Sequence, residues 1–317
     1  MTYNNVIMAK VFQKSLRNPV SGSSDNFVME RSRCCIVPDF PLGVVKSISQ
    51  SLRHYHVHEN FSELVLVTAG SGIHEVNGRS YPISAGDIFL VQGDLCHCYS
   101  DGYGLSIWNV LFCWEELQLP KLDVGQIAAF HNLFVIDPVN GDPDRFDRRF
   151  RMNQDDFNQI MRKVQDLGTL LTEKPDGVKF LALSKFMEII AFLLSAYEHT
   201  VDAAVTGTIP HRMATLVAEL ERRYSEPINI EQMCRIAGMS YASLFRHFRK
   251  YYDDTPLNYL LRQRLQRACE LFEQQPGIAV SEVAFRCGFT DSAYFSRKFH
   301  EYYHMPPSAW RTLNAGK

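Results

Sequence analysis

The sequence predicts a multi-domain α and β protein: an N-terminal antiparallel β-barrel plus helices, then an all-α C-terminal domain with two helix-turn-helix units. Three observations carry that prediction. Between Cys34 and Phe112, β-branched and aromatic runs alternate with glycine-bearing turns. From Gln154 the apolar residues recur at steps of three and four, and the C-terminal third contains a near-copy of itself.

At 317 residues the chain exceeds one small domain, since ~100–200 residues per domain is usual, and two are expected. Composition is globular, 46% hydrophobic and 21% charged, without the biased tracts that stay unfolded. The stretch MTYNNVIMAKVFQKS has too short an apolar run for a secretory signal, and nowhere do 18 apolar residues follow one another. A soluble cytoplasmic protein with no membrane partner is the expectation. The eight cysteines form no C-x-x-C pair and read as reduced, mostly buried small hydrophobes.

Taken in order, LVLVTAG, GIHEV, YPI, AGDIFLVQGD and LSIWNVLF read as strands, with Asn77-Gly78 a tight hairpin turn. They place a barrel in residues 1–120. Residues 121–200 read as helical and suited to dimerisation. There Asn153 caps a helix with Asp155 and Asp156 in its first turn, and Phe157, Ile160, Met161, Val164, Leu167 and Leu171 share its inner face. A second helix follows KPDG through FLALSKFMEIIAFLLSAY, apolar over most of its circumference, so its own domain or a second copy must cover it on several sides. Residues 201–210 read as a linker, and 211–317 as the C-terminal domain.

In that domain SLFRHFRKYYDDTPLNYL aligns with YFSRKFHEYYHMPPSAWR at an offset of 51. Leu244 pairs with Phe295, Arg246 with Arg297, Phe248 with Phe299, Tyr251-Tyr252 with Tyr302-Tyr303, Pro256 with Pro307 and Tyr259 with Trp310. Upstream, Gly238 matches Gly288. Each copy reads as a short helix, a glycine turn and a second helix: Asn229 and Ser240 cap the helices of the first, Ser281 and Asp291 those of the second. Leu244, Phe248, Phe295 and Phe299 point inward, and Tyr259 and Trp310 join the core. The helix between the units, Pro256 to about Gln274, spans ~29 Å at ~1.5 Å per residue, against ~34 Å between successive major-groove faces of B-DNA. It can set two recognition helices into adjacent groove segments of one duplex. Charge agrees in sign: residues 211–317 hold 15 Lys and Arg against 11 Asp and Glu, while the whole chain is −2.

The stretches IAGMSYASLFRHFRK, PLNYLLRQRLQRACELF and VAFRCGFTDSAYFSRKF with PPSAWR resemble the two-unit DNA-binding domain of the AraC/XylS family of bacterial transcription regulators, over about residues 211–313. Asp254 and His304 stand where that family usually has glycine after each recognition helix. The resemblance implies double-stranded DNA and RNA polymerase as partners. It places base readout on Tyr241, Ala242, Phe245 and Arg246 in the first unit, and on Ser292, Ala293, Ser296 and Arg297 in the second. A guanidinium can bond guanine O6 and N7 together, which suits Arg246 and Arg297. Arg249, Lys250 and Lys298 lie one turn on, suited to phosphates.

HYHVHENFSELVLVTAG raises a different question. On a strand His54, His56 and His58 share one face, whereas Glu63 must come from the next strand. The spacing His56-x-His58-x4-Glu63, with His97 downstream, resembles the cupin superfamily, whose metal-binding members use those four side chains as ligands; Gln92 and Asp94 depart from its second motif. The resemblance to cupin sensors of the rhamnose-responsive AraC-type activators is closer, over about residues 40–115. It implies an effector pocket, for a sugar such as rhamnose, lined by His56, His58, Glu63, His97, Tyr99 and Trp108, with His54 and His74 peripheral. No cofactor is required, although His56, His58, Glu63 and His97 could hold a divalent metal. The expectation is an effector-controlled activator, not an enzyme, acting as a homodimer. The alternative is a metal-dependent cupin enzyme carrying a DNA-binding tail, which stoichiometric metal plus turnover would reveal.

Overall fold

The computed structural model describes residues 27–48, 54–92, 95–117, 119–120, 122–136, 149–200 and 207–314. Asp94, the N-terminal stretch and most of the expected linker lie outside them. The chain divides into two compact units. One comprises the residues up to Leu122 together with Ala129–Thr208, the other Asp123–Ala128 together with Ile209 onward.

The first unit is built on one curled eight-stranded sheet: β1 (Phe27–Met29), β2 (Leu42–Ile48), β3 (His56–His58), β4 (Ser62–Val76), β5 (Arg79–Ser84), β6 (Asp87–Val91), β7 (His97–Phe112) and β8 (Arg149–Arg151). Its order is β1-β3-β7-β4-β6-β8, with β2 also on β7 and β5 on β4. Pairing is antiparallel except between β1 and β3. Asn77 and Gly78 both take positive φ, 48° and 77°, the geometry of a two-residue hairpin turn whose twist matches its strands. Val65, Val67, Phe89, Val91, Tyr99, Leu105 and Ile107 fill the concave side.

LVLVTAG and GIHEV, read as two strands, are one strand of 15 residues. Its register against β7 shifts three times between Val67 and Ile73. Bulges bend the strand without ending it, and Gly70 permits the close crossing: at φ 71°, a Cβ there would meet the Tyr103 carbonyl oxygen at 2.3 Å.

The segment expected to be helical contributes β8 as well. Arg149 and Arg151 there stand 3.2 and 3.7 Å from the buried Asp87 carboxylate, supplying the counter-charge that burial of Asp87 requires. Helix α1 (Gln154–Glu173) starts as its cap predicts, the Asn153 side chain accepting from the Asp156 N–H, and the six expected residues are its buried ones. Helix α2 (Val178–Thr200) is long and apolar enough to cross a membrane by composition. Ala182, Phe186, Ile189, Leu193 and Tyr197 are instead buried within the unit, Phe186 against the Phe112 ring at 5.0 Å. These helices cover the convex face of the sheet. That is why the start of β4 is buried on both sides and shows no alternation.

The second unit is helical: α3 (Ile209–Arg222), α4 (Ile230–Ala237), α5 (Tyr241–Tyr252), α6 (Pro256–Gln274), α7 (Val280–Arg286), α8 (Ser292–Tyr303) and α9 (Pro307–Asn314). Asn229 forms a reciprocal capping box with Gln232, Ser240 accepts from the Ser243 N–H, and Asp291 accepts from those of Ala293 and Tyr294. Two local expectations need correction. Ser281 lies inside the first turn of α7, whose N-cap is Ala279, with no side-chain bond. The left-handed residue after α5 is Asp253, φ 54°, the true counterpart of His304, φ 58°. Asp254, one residue on, turns back to pair with Arg262 at 2.9 Å.

Candidate DNA interface and sensor site

The recognition helices are presented by their neighbours. In the first unit Leu244 and Phe248 are fully buried, and Phe248 packs edge-on to Tyr259 of α6 at 5.7 Å. In the second, Phe295 and Phe299 are buried to the same degree, with Trp310 packed partly buried against them. Anchoring at these positions of a helical turn leaves 241, 242, 245 and 246, and their counterparts 292, 293, 296 and 297, on the outward side. Tyr241, Ala242, Arg246, Arg249 and Lys250 are exposed, and Phe245 is half-buried under the Tyr241 ring. In α8, Ala293 and Arg297 are exposed and Ser292 and Ser296 half-buried, the Ser296 hydroxyl donating to the Ser292 carbonyl at 2.9 Å.

The arginines separate by role. Arg262, Arg267 and Arg286 pair with carboxylates, and Arg212, Arg264 and Arg311 donate to main-chain carbonyls, so these six are engaged within the domain. Arg246 contacts His247, and Arg297 lies over the Tyr294 ring at 5.4 Å. Both arginines stay exposed, at the positions expected to face DNA. Lys298 pairs with Glu301 at 2.7 Å, a surface pair of the kind worth only ~0–1 kcal/mol.

In the sensor, β3, β4 and β7 bring together His56, His58, Glu63, His74 and His97, none more than 4% exposed. His97 is the hub: its Nε2 lies 3.2 Å from His58 Nε2 and its Nδ1 3.1 Å from His74 Nε2. His74 is held between the Phe89 and Tyr99 rings at 4.6 and 4.9 Å. His56 Nδ1 donates to the His54 carbonyl at 2.9 Å; His54 itself is exposed and outside the cluster. Glu63 Oε2 lies 3.7 Å from His58 Nε2 and 3.9 Å from His97 Nε2. Those distances are too long for hydrogen bonds. Burial pushes the Glu63 carboxyl up to about 8 and, with His56 nearby, takes His58 and His74 down to about 3. The group is therefore a neutral polar cluster and not a set of ion pairs.

Trp108 does not converge on it. Its strand neighbour across the sheet is Leu66, and it packs towards Gly168 of α1 and under Lys46, on the convex face. Asn109, next in sequence, pairs with Val65 on the concave face and is buried. Asn109 was not singled out in the sequence, and His74, given only a peripheral place there, is buried at the centre of the cluster. Alternation from Ile107 would have found Asn109. His74 was hidden because the bulges reverse the parity of β4 between Val67 and Val76.

One unit is thus a curled sheet with a polar cluster on its concave face, and the other carries two helix-turn-helix units. Known families match both halves: an AraC-like ligand binding domain at residues 46–128 and a helix-turn-helix domain at 233–312. The chain is 30% identical over 265 residues to the HTH-type transcriptional activator RhaR of Escherichia coli (strain K12), covering 83% of this chain and 88% of that one. The chain belongs to the AraC family. RhaR of Cronobacter sakazakii is 29% identical over 289 residues, or 91% of this chain and 97% of the relative. Among solved structures, an AraC-type regulator from Chromobacterium violaceum is 26% identical over 33% of this chain and 93% of its own, with a TM-score of 0.31. This AraC-family protein is a ligand-responsive, DNA-binding transcription activator.

Proposed function

We propose that the effector is a polyhydroxylated small molecule, a sugar such as rhamnose, bound at the concave face by His56, His58, Glu63, His97 and Tyr99, with His74 and Asn109 added. The supporting observation is that His58 Nδ1, Glu63 Oε2, Tyr99 Oη and Asn109 Oδ1 are buried there without hydrogen-bond partners. Each such atom costs roughly 1–3 kcal/mol, a cost that ligand hydroxyls would relieve. The sugar then favours one arrangement of sensor and DNA-binding unit, and the population shifts towards the form that engages the promoter.

On the output side, Arg246 and Arg297 read bases together with Tyr241, Ala242, Phe245, Ser292, Ala293 and Ser296, while Arg249, Lys250 and Lys298 position the duplex. The protein works in the cytoplasm with RNA polymerase, as a homodimer formed through α2. The test is footprinting on the chain's own upstream DNA with and without a panel of sugars, alongside thermal melting. A binding sugar at ~100 times its Kd raises stability by about 2.7 kcal/mol, and Tyr99→Phe or Asn109→Ala weakens that response. No melting shift and no change in footprint with any sugar would refute the effector reading.

A second reading has one observation behind it: ligand atoms of His56, His58 and His97 lie within 4.8 Å of one another, with Glu63 alongside. Three neutral imidazoles and a carboxylate fit a divalent transition metal. Bound there, it would offer a coordination site to an effector hydroxyl. Metal analysis of the purified protein and its Glu63→Gln variant decides between the readings. The relatives being transcription activators favours a sensor over a cupin enzyme.

A further inference from the structure

The internal duplication supplies its own control for base preference. At matched positions of the two recognition helices, Ala242 faces Ala293 and Arg246 faces Arg297, but Tyr241 corresponds to Ser292 and Phe245 to Ser296. Of the four outward first-turn positions, these two differ; further along, Arg249 and Lys250 correspond to His300 and Glu301, and Ser243 to Tyr294, whose ring lies under Arg297. In α5 the Tyr241 and Phe245 rings stack with centroids 4.4 Å apart and planes 26° from parallel, and Tyr241 remains 59% exposed. In α8 the same two places hold hydroxyls, one already committed to its own helix.

An aromatic stack with its outer ring exposed and its inner ring half-buried gains from an apolar partner, since the part left in water forgoes its burial energy. Arg246 follows Phe245 directly, and Arg249 and Lys250 lie a turn further along the same helix, so the partner is the duplex those cations face. In the major groove only thymine presents a hydrocarbon group, its C5-methyl, and phenyl rings are among the side chains that contact it. A sugar-phosphate partner would suit hydroxyls or cations better than two stacked rings.

We propose that the first unit selects thymine through its methyl group, using the Tyr241–Phe245 stack, whereas the second unit reads its segment by polar contacts and has no methyl requirement. This rests on the reading that both recognition helices enter the major groove. The two halves of the operator then differ in kind as well as in sequence.

The test uses the full chain and a duplex enriched by it from random DNA. Each thymine of that site is replaced in turn by uracil, which removes only the methyl, and affinity is followed by fluorescence anisotropy. For wild type, uracil at one or two clustered positions lowers affinity about fourfold per methyl, the worth of one buried methylene-sized group. Phe245→Ser, which installs the residue of the matched position, binds thymine and uracil duplexes equally at those positions and keeps the remaining preferences. Tyr241→Ser, at an exposed position, gives the same reading should Phe245→Ser lower the folded fraction. If uracil has no effect at any position, or if both variants weaken the two duplexes by the same factor, the stack contacts backbone and the proposal falls. If no sequence is enriched at all, the groove reading fails first and takes this inference with it.

Discussion

At the residue scale the proposed base contacts rest on two side chains. Arg246 and Arg297 stand at matched places of the duplication, exposed and unencumbered by carboxylates, unlike Arg262, Arg267 and Arg286. Replacing either with alanine should weaken specific DNA binding by roughly 5- to 150-fold, the equivalent of 1–3 kcal/mol, and leave thermal unfolding unchanged. Competition with random DNA measures the ratio; equal loss on both DNAs would make the residue a phosphate contact. His304 tests stability instead. Its left-handed φ of 58° costs a residue with a Cβ ~1–2 kcal/mol, and glycine returns ~0.5–1 of that as chain entropy. His304→Gly should therefore raise stability by about 0.5–1 kcal/mol in denaturant melts, and an unchanged midpoint would show that the turn is unstrained. Much at this scale was legible: that His56, His58, Glu63 and His97 come together from their spacing, and the Asn153, Asn229, Ser240 and Asp291 caps from side-chain chemistry, though not Ser281. Trp108 was misplaced, because its neighbour Asn109 is the inward residue and only the paired strands fix that parity.

At the level of elements, the two glycine turns look alike in sequence and differ in what surrounds them. A Cβ on Gly238 would approach the Arg212 guanidinium at 2.7 Å, the end of a flexible side chain. On Gly288 it would meet the Ser225 carbonyl oxygen at 2.6 Å, which is main chain. Both are left-handed, so each alanine variant loses ~1 kcal/mol or more from strain. Gly288→Ala should lose at least ~1 kcal/mol beyond Gly238→Ala, because backbone must move; comparing urea midpoints checks the order, and a reversed order would sink it. Helices were legible because a 3.6-residue period and a cap are local signals. The long strand was not: its bulges answer to β7, some 30 residues away in sequence, and no local pattern records them. β8 was missed for a similar reason, being only three residues held by Asp87.

For the whole molecule, the proposed dimer places its contact on α2. Its inward side is packed within the sensor unit, yet Phe180 is 78% and Leu181 42% exposed, and Met187 and Ala191 continue the outward edge. If that edge joins two copies, Phe180→Asp should shift sedimentation towards monomer while leaving the sugar-dependent melting shift intact; a dimer that persists would place the interface elsewhere. The spacer helix α6 bears on the targets themselves. At 19 residues with no break, it is a continuous spacer between the two helix-turn-helix units. One base pair added between their half-sites moves the second by about 3.4 Å and turns it by about 35° around the duplex axis, and a continuous helix has no joint to follow. If both units read bases as proposed, the spacing between the half-sites is part of the recognised message, and a genome search that lets the gap float would look for the wrong sites.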